Sequence, residues 1–409
     1  MNKHYLYVMK LKWTLTLAAA MVLTIGASAQ QIMINPGPLP KARPLGDFDY
    51  FNRRDTVTIS FIGDVMQHGA QIDAALKEGG GRIHDYTNAF RFMEPFFKEA
   101  DYMVANMEFT VGTKPYTGYP CFSAPPEIAS AAKSAGIDLF LMANNHICDK
   151  GASGLGKTLD IYENLQMPKL GAYRNKADAD TSSVILVELK GMKFALFNYT
   201  YGTNGIPVPE PYHVNLQDSV EIRRNIQRAK DLGAEIIIAM PHWGEEYVLS
   251  PVAEQKKFAD MMFRAGVNAI IGGHPHVPEE GYIYVRKQQQ PYARDSVERI
   301  LFYSMGNYIS NMSRSGWTST GMMITLSFTR DRISGKVRML MPRWKYMWCF
   351  RKGQYTNDYT VVPIEEFLQS QDFKAGGRTT LQQQGFKAIS DFWPQIIKKD
   401  LIRIVETNK

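Results

Sequence analysis

Several short segments of this 409-residue chain hold side chains able to ligate a metal ion: Gly63-Asp64, Asn106-Met107-Glu108, Asn144-Asn145-His146, His242-Trp243-Gly244 and Gly273-His274-Pro275-His276. Two carboxylates, one carboxamide and several imidazoles suit a borderline divalent cation such as Zn, Mn or Fe. A carboxylate shared by two such ions holds them roughly 3.5–4 Å apart, the spacing used in two-metal phosphoryl chemistry. His274 and His276 stand on either side of a proline, so both imidazoles can face one site across a kinked loop. Taken singly, each segment has an ordinary reading. A Gly-Asp pair after a strand is commonly a turn, and a lone buried histidine is commonly a satisfied core residue. Together, and always after an apolar run, they point to a metal centre of Asp64, Glu108, Asn145, His242, His274 and His276, holding one or two ions.

The apolar runs are the elements that must position these groups. Val57–Ile62, Tyr102–Ala105, Leu139–Met142, Phe194–Tyr199, Ile236–Met240, Ala269–Ile271 and Ile300–Tyr303 read as strands. Amphipathic segments Ile128–Ala135, Ile222–Leu232 and Ala253–Ala265 each end at a glycine stop, at Gly136, Gly233 and Gly266. This alternation predicts a layered α/β domain, in which ligands gather beyond the carboxyl ends of the strands. Asn307 follows the last of these strands on the same edge, and Asn204 lies in a glycine- and proline-rich loop after another. Both are candidates to contact substrate. Glu245, Glu246 and Tyr247 form an acidic, aromatic stretch with two readings, a rim that orients His242 or a solvated loop. Beyond Gly316 the pattern changes to strands Met322–Ser327 and Lys336–Pro342, and then to a polar region that predicts a helical extension over residues 351–409.

Residues 1–29 read as a secretory leader, with Lys10 and Lys12, an apolar stretch Trp13–Gly26 and the small-residue site Ala27-Ser28-Ala29. That stretch is shorter than the roughly 20 residues needed to span a bilayer. Residues 30–54, with four prolines, read as an extended linker, and the main domain as 55–350. The expected location is the periplasm or cell envelope. At 45% hydrophobic and 21% charged, the chain has enough apolar material for a large soluble core. Its net charge of +7 includes Lys3, Lys10 and Lys12 of the leader, and no basic stripe remains to argue for nucleic acid. Three cysteines, Cys121, Cys148 and Cys349, do not make a disulfide framework.

Gly63-Asp64-Val65-Met66, Asn106-Met107-Glu108, Asn144-Asn145-His146 with Asp149 and Gly151, His242-Trp243-Gly244-Glu245, Gly273-His274-Pro275-His276 and Ser304-Met305-Gly306-Asn307 together resemble the signature blocks of the CapA family of poly-γ-glutamate capsule synthesis proteins. The resemblance runs from about Thr56 to Met312. That family in turn resembles calcineurin-like metallophosphoesterases, which implies a four-layer α/β/β/α sandwich. It also implies that Asp64 and His276 bind one ion, that Asn145, His242 and His274 bind the other, and that Glu108 bridges them. His146 would then be the general acid or oxyanion donor, oriented by Asp149. One position departs from the pattern: Met66 stands where many phosphoesterases carry a histidine, and His68 lies two residues further on.

The resulting expectation is a metal-dependent, hydrolase-like envelope protein acting on or handling an anionic polymer, by resemblance poly-γ-glutamate. Two other readings fit the same residues. One is a general periplasmic metallophosphoesterase with a small phosphoester substrate. The other is a non-enzymatic assembly factor for a membrane-bound polymer synthase or exporter. Fold class alone does not choose among them.

Overall fold

The computed structural model describes residues 56–286, 296–331, 334–355, 357–370 and 380–407. The leader and linker readings fall outside the described residues. Strands such as Thr56–Val65 and Ile236–His242 are apolar on both faces and buried almost throughout, as expected of parallel strands covered on both sides.

One hydrogen-bonded path joins most strands. It runs through Lys169–Leu170, Leu139–Leu141, Tyr102–Met107, Thr56–Val65, Thr320–Arg330, Val337–Met339, Ser296–Phe302, Ala269–Ile271, Ile236–His242, Met192–Thr200 and Ile185–Leu189. The first four pair in parallel, and so do the four from Ser296–Phe302 to Met192–Thr200. Antiparallel pairing through Thr320–Arg330 and Val337–Met339 links these two blocks.

The period-2 alternation of strand side chains shows how the blocks stack. Ile236, Ile238 and Met240 share a central apolar cluster with Val57, Ile59, Phe61 and Val104 of the other block. Their neighbours Ile237 and Ala239 point the opposite way, onto Ile222, Ile226 and Met262 of helices Ser219–Asp231 and Ala253–Ala265. On the far side, Met103, Ala105 and Met107 pack against Ile128, Ala132, Leu155 and Leu159 of helices Glu127–Ser134 and Gly151–Asn164. Phe194 of the second block and Phe328 of the linking strand Thr320–Arg330 bring their rings to 4.8 Å across the centre. The result is helices, sheet, sheet, helices: the four-layer α/β/β/α sandwich expected.

The helix stops also behave as read. Gly136, Gly233 and Gly266 all take positive φ, and Gly266 is the left-handed cap of Ala253–Ala265. The region beyond residue 350 is helical over Ile364–Gln369 and Thr380–Lys399 but does not stand apart. Ile364, Phe367, Ile389, Ile396 and Leu401 join the central cluster, and Ile402–Thr407 pairs in parallel with Gly281–Arg286. That last strand is half-exposed and rich in charge, which hid it within a polar composition. Among the described residues, no helix is long and apolar enough to cross a membrane.

Candidate metal centre

The carboxyl ends of the two parallel blocks meet at one edge of the sandwich. Asp64 is the penultimate residue of the strand Thr56–Val65, Asn106 lies near the end of Tyr102–Met107 with Glu108 just beyond it, and His242 ends Ile236–His242. Two glycines make the approach possible. A Cβ at Gly63 would lie 1.9 Å from the Gly306 carbonyl oxygen, and one at Gly273 would lie 2.8 Å from Asp64 Oδ1. Asn198 spans the blocks, accepting from Ala143 N–H at 2.7 Å and donating to the Met240 carbonyl at 2.7 Å.

Asp64, Glu108, His242, His274 and His276 are all buried here. Their donor atoms form two sets, Asp64–Glu108–His276 and Glu108–His242–His274, each with its atoms within 4.8 Å of one another. Glu108 belongs to both. Its Oε1 lies 3.5 Å from His242 Nε2 and 3.7 Å from His276 Nε2, beyond hydrogen-bond length, and has no hydrogen-bond partner. His274 Nδ1 is likewise buried and unpartnered. Buried polar atoms without partners cost free energy unless something satisfies them. This donor chemistry and spacing fit a divalent cation. Asn145 joins from the side, with Oδ1 2.8 Å from His242 Nε2.

The cluster's charges are mutually arranged. Burial alone would raise the Asp64 carboxyl, but His276, His242 and the Asn106 amide together hold it below its ordinary value. Burial opposes the His276 imidazolium, yet Glu108 and Asp64 outweigh it and push that group up to about 9. Burial and the neighbouring imidazoles keep His274 well below its ordinary range, in the neutral form that ligates metals.

Asn106 is the residue that motif reading passed over. Its amide Nδ2 donates to Asp64 Oδ1 at 2.9 Å and to Glu108 Oε2 at 3.3 Å, and lies 3.3 Å from His242 Nδ1. Its own oxygen accepts from Asn144 Nδ2 at 3.2 Å. The available signal was its position two residues before Glu108, which places both at one face of an extended segment.

His146 Nδ1 lies 2.8 Å from Asp149 Oδ2, which also accepts the Phe122 N–H at 2.6 Å. The Phe122 ring meets the imidazole edge-on at 4.5 Å, so the ring is held from two sides. Asn204 is exposed beside it: Oδ1 accepts from Asn145 Nδ2 at 3.2 Å, and Nδ2 lies 3.5 Å from His146 Nδ1. Tyr201, also unassigned from the sequence, places its ring 4.5 Å from that of His274 and is 44% exposed, at the mouth of the site.

Two expectations need correction, and the position of His68 is now clear. Asn307 does not face substrate. It is buried, its Oδ1 lies 3.0 Å from His276 Nδ1, and its Nδ2 donates to the carbonyls of His276 and Thr318, so it holds the imidazole from behind. Glu246 does not orient His242, whose partners are Asn106, Asn145, Asp64 and Glu108; its carboxylate lies within 4.8 Å of ring nitrogens of His274 and His276. His68, two residues beyond Met66, is outside the donor sets. It caps helix Gly69–Glu78, with Nδ1 3.0 Å from Gln71 Oε1, and burial lowers it to about 4. Met66 is wholly buried in the helix-side core. Cys148, beside this constellation, is a free buried thiol pushed up to about 11 by burial and then by Asp149.

A family model described as "Bacterial capsule synthesis protein PGA_cap" matches residues 58–312, a range that contains every residue of the centre. The chain belongs to this family. Two of its relatives are capsule proteins of Bacillus. "Capsule biosynthesis protein CapA" of Bacillus anthracis is 28% identical over 278 residues, covering 65% of this chain and 62% of the relative. "PGA biosynthesis protein CapA" of Bacillus subtilis (strain 168) is 26% identical over 271 residues, covering 65% and 66%. The chain therefore matches less than two thirds of the length of these curated relatives. Similar solved structures include the calcineurin-like phosphoesterase YfkN from Bacillus subtilis, at TM-score 0.43 and 14% identity, covering 84% of this chain and 99% of that one. Another is the NAD nucleotidase NadN of Haemophilus influenzae, at TM-score 0.42 and 12% identity, covering 87% and 65%.

Proposed function

We propose that this PGA_cap family member is a metal-dependent hydrolase-like protein of the cell envelope, acting on an anionic polymer of the poly-γ-glutamate class during capsule biosynthesis. The observation that carries the reading is Glu108 Oε1, buried, without a hydrogen-bond partner, and facing one histidine of each donor set. In this reading Asp64 and His276 would hold one cation and Asn145, His242 and His274 the other, with Glu108 shared between the two donor sets. The donor set suits Mn, Zn or Fe. The capsule relatives and the leader reading at residues 1–29 support the envelope location.

A divalent ion bound here supplies Lewis acidity and brings water toward ionisation near neutral pH. The chain's own groups do the rest. Asp149 takes up His146 Nδ1 and leaves Nε2 as the face that exchanges a proton with the leaving group. Asn204 and Tyr201, at the open side, orient the substrate's polar atoms. Asn106 and Asn307 fix the carboxylates and His276 so that little reorganisation is needed. Membrane-bound synthase or exporter components are the proposed partners.

The test is metal content and hydrolysis by the protein beside its His274→Ala and Asp64→Ala variants, on γ-glutamyl oligomers and on a phosphoester panel. At least one equivalent of divalent metal, lost with hydrolysis in both variants, is the expected result. Hydrolysis of phosphoesters alone would favour the phosphoesterase reading. Metal-free protein without activity, even after reconstitution with Mn, Zn or Fe, would refute catalysis and favour the assembly factor. The burial of Met66 in the core, one donor short of the usual pattern, is the observation behind that last reading.

A further inference from the structure

One acidic group at the centre is unlike the others. Asp64 and Glu108 are wholly buried, whereas Glu246 is exposed, yet its carboxylate oxygen, His274 and His276 form a third set of donors within 4.8 Å of one another. Its loop is built to hold it there. Trp243 N–H donates to the Gly273 carbonyl at 3.1 Å, and Tyr247 N–H donates to the Pro275 carbonyl at 2.8 Å. The segment thus lies along the His274-Pro275-His276 turn. Gly244 takes φ +97 and Tyr247 takes φ +68, a left-handed backbone that a tyrosine adopts only when its surroundings impose it. The Arg314 guanidinium lies 3.9 Å from the centroid of the Tyr247 ring, pinning the loop from outside. A second observation points the same way: the buried His274 Nδ1 has no partner.

We propose that Glu246 is a solvent-side metal ligand that closes the centre against His274 and His276 and yields its place to an anionic oxygen of the substrate. The inference rests on the centre holding a cation, as proposed above. It answers the donor deficit left by Met66, whose side chain is buried in the core, with a carboxylate delivered from the solvent side. It also gives the site a preference for anions. Exchanging the Glu246 carboxylate for a carboxylate or phosphate oxygen of substrate leaves the charge around the cation almost unchanged, while a neutral ligand would strip one negative charge from it. Because the group is exposed, the exchange needs movement of one side chain and no opening of the core.

The experiment is Co(II) binding, read by competition with a chromophoric chelator and by the visible absorption of bound Co(II). The proteins compared are the unaltered chain and its Glu246→Gln, Glu245→Gln and His274→Ala variants. Glu246→Gln is expected to weaken Co(II) about 10- to 100-fold and to change the spectrum, with Glu245→Gln matching the unaltered protein. Glutarate, as a carboxylate probe, is expected to perturb the Glu246→Gln spectrum at lower concentration than that of the unaltered protein. Affinity and spectrum unchanged in Glu246→Gln while His274→Ala loses Co(II) would overturn this assignment and leave the centre standing. An equal loss in Glu245→Gln would overturn it too, by showing a general charge effect. Failure of the unaltered protein to bind Co(II) would remove both this inference and the reading beneath it.

Discussion

Asn106 offers the sharpest quantitative test, because the structure gives it one task and no direct role in binding a cation. Its Nδ2 stands between Asp64 Oδ1 at 2.9 Å and Glu108 Oε2 at 3.3 Å, two buried carboxylates that would otherwise repel each other. A hydrogen bond to a charged group contributes roughly 1.5–3 kcal/mol, and the longer of these two belongs at the weak end. Replacing Asn106 with alanine removes both and lets the carboxylates relax apart. Its neighbour remains satisfied, since Asn144 Nδ2 still donates to the Met107 carbonyl at 2.9 Å, so the fold should persist. The lost preorganisation should appear as weaker metal binding, by about 10- to 100-fold, as for other groups that orient ligands from behind. Competition for Mn(II) or Co(II) against a chromophoric chelator measures it, with circular dichroism confirming that the variant is folded. A folded Asn106→Ala protein binding metal within about threefold of the unaltered chain would refute the claim that this amide organises the centre, since threefold is only about 0.65 kcal/mol, well under one such bond.

Two further predictions follow from neighbouring residues. Asp149→Asn takes the charged partner from His146 Nδ1 but touches no proposed ligand; turnover should fall roughly 10²-fold, with metal content, read by elemental analysis, unchanged. Parallel loss of metal and activity would contradict the role given to Asp149. Glu279, fully buried with Oε1 unpartnered and Oε2 accepting from Gln255 at 2.8 Å, is pushed from 4.5 up to about 8 by burial. The folded state therefore holds a proton that the unfolded state releases. Stability should be greatest below about pH 4.5 for this group and fall as pH rises to about 8, by up to about 5 kcal/mol. Glu279→Gln should flatten that slope in urea unfolding at pH 5 and pH 8.5, while parallel curves for the two proteins would show that Glu279 is not the source.

The linear chain by itself determined a good deal. Runs such as Val57–Ile62, Ile236–Met240 and Ala269–Ile271 have strand character, and each is followed closely by a polar group, so the ligand-bearing edge is legible in the sequence. The stops at Gly136, Gly233 and Gly266 were legible for the same reason: a residue without a Cβ takes positive φ at little cost. The resemblance of the motif blocks carried the four-layer order. What periodicity reports is local burial and direction, and it is silent on which loops meet. His274 N–H reaches Asp64 Oδ2 at 3.2 Å across 210 residues, and that meeting depends on two parallel blocks stacking through Val57, Ile59 and Phe61 against Ile236, Ile238 and Met240. Only that packing decided that Glu108 stands between two histidines, that Asn106 organises the carboxylates, and that Asn307 lies behind His276, away from the open face. It also decided that Met66 belongs to the core while Glu246 reaches the centre from solvent. A side chain's type sets what it is able to bind, but its neighbours in space set whether it binds a metal, a substrate or another side chain.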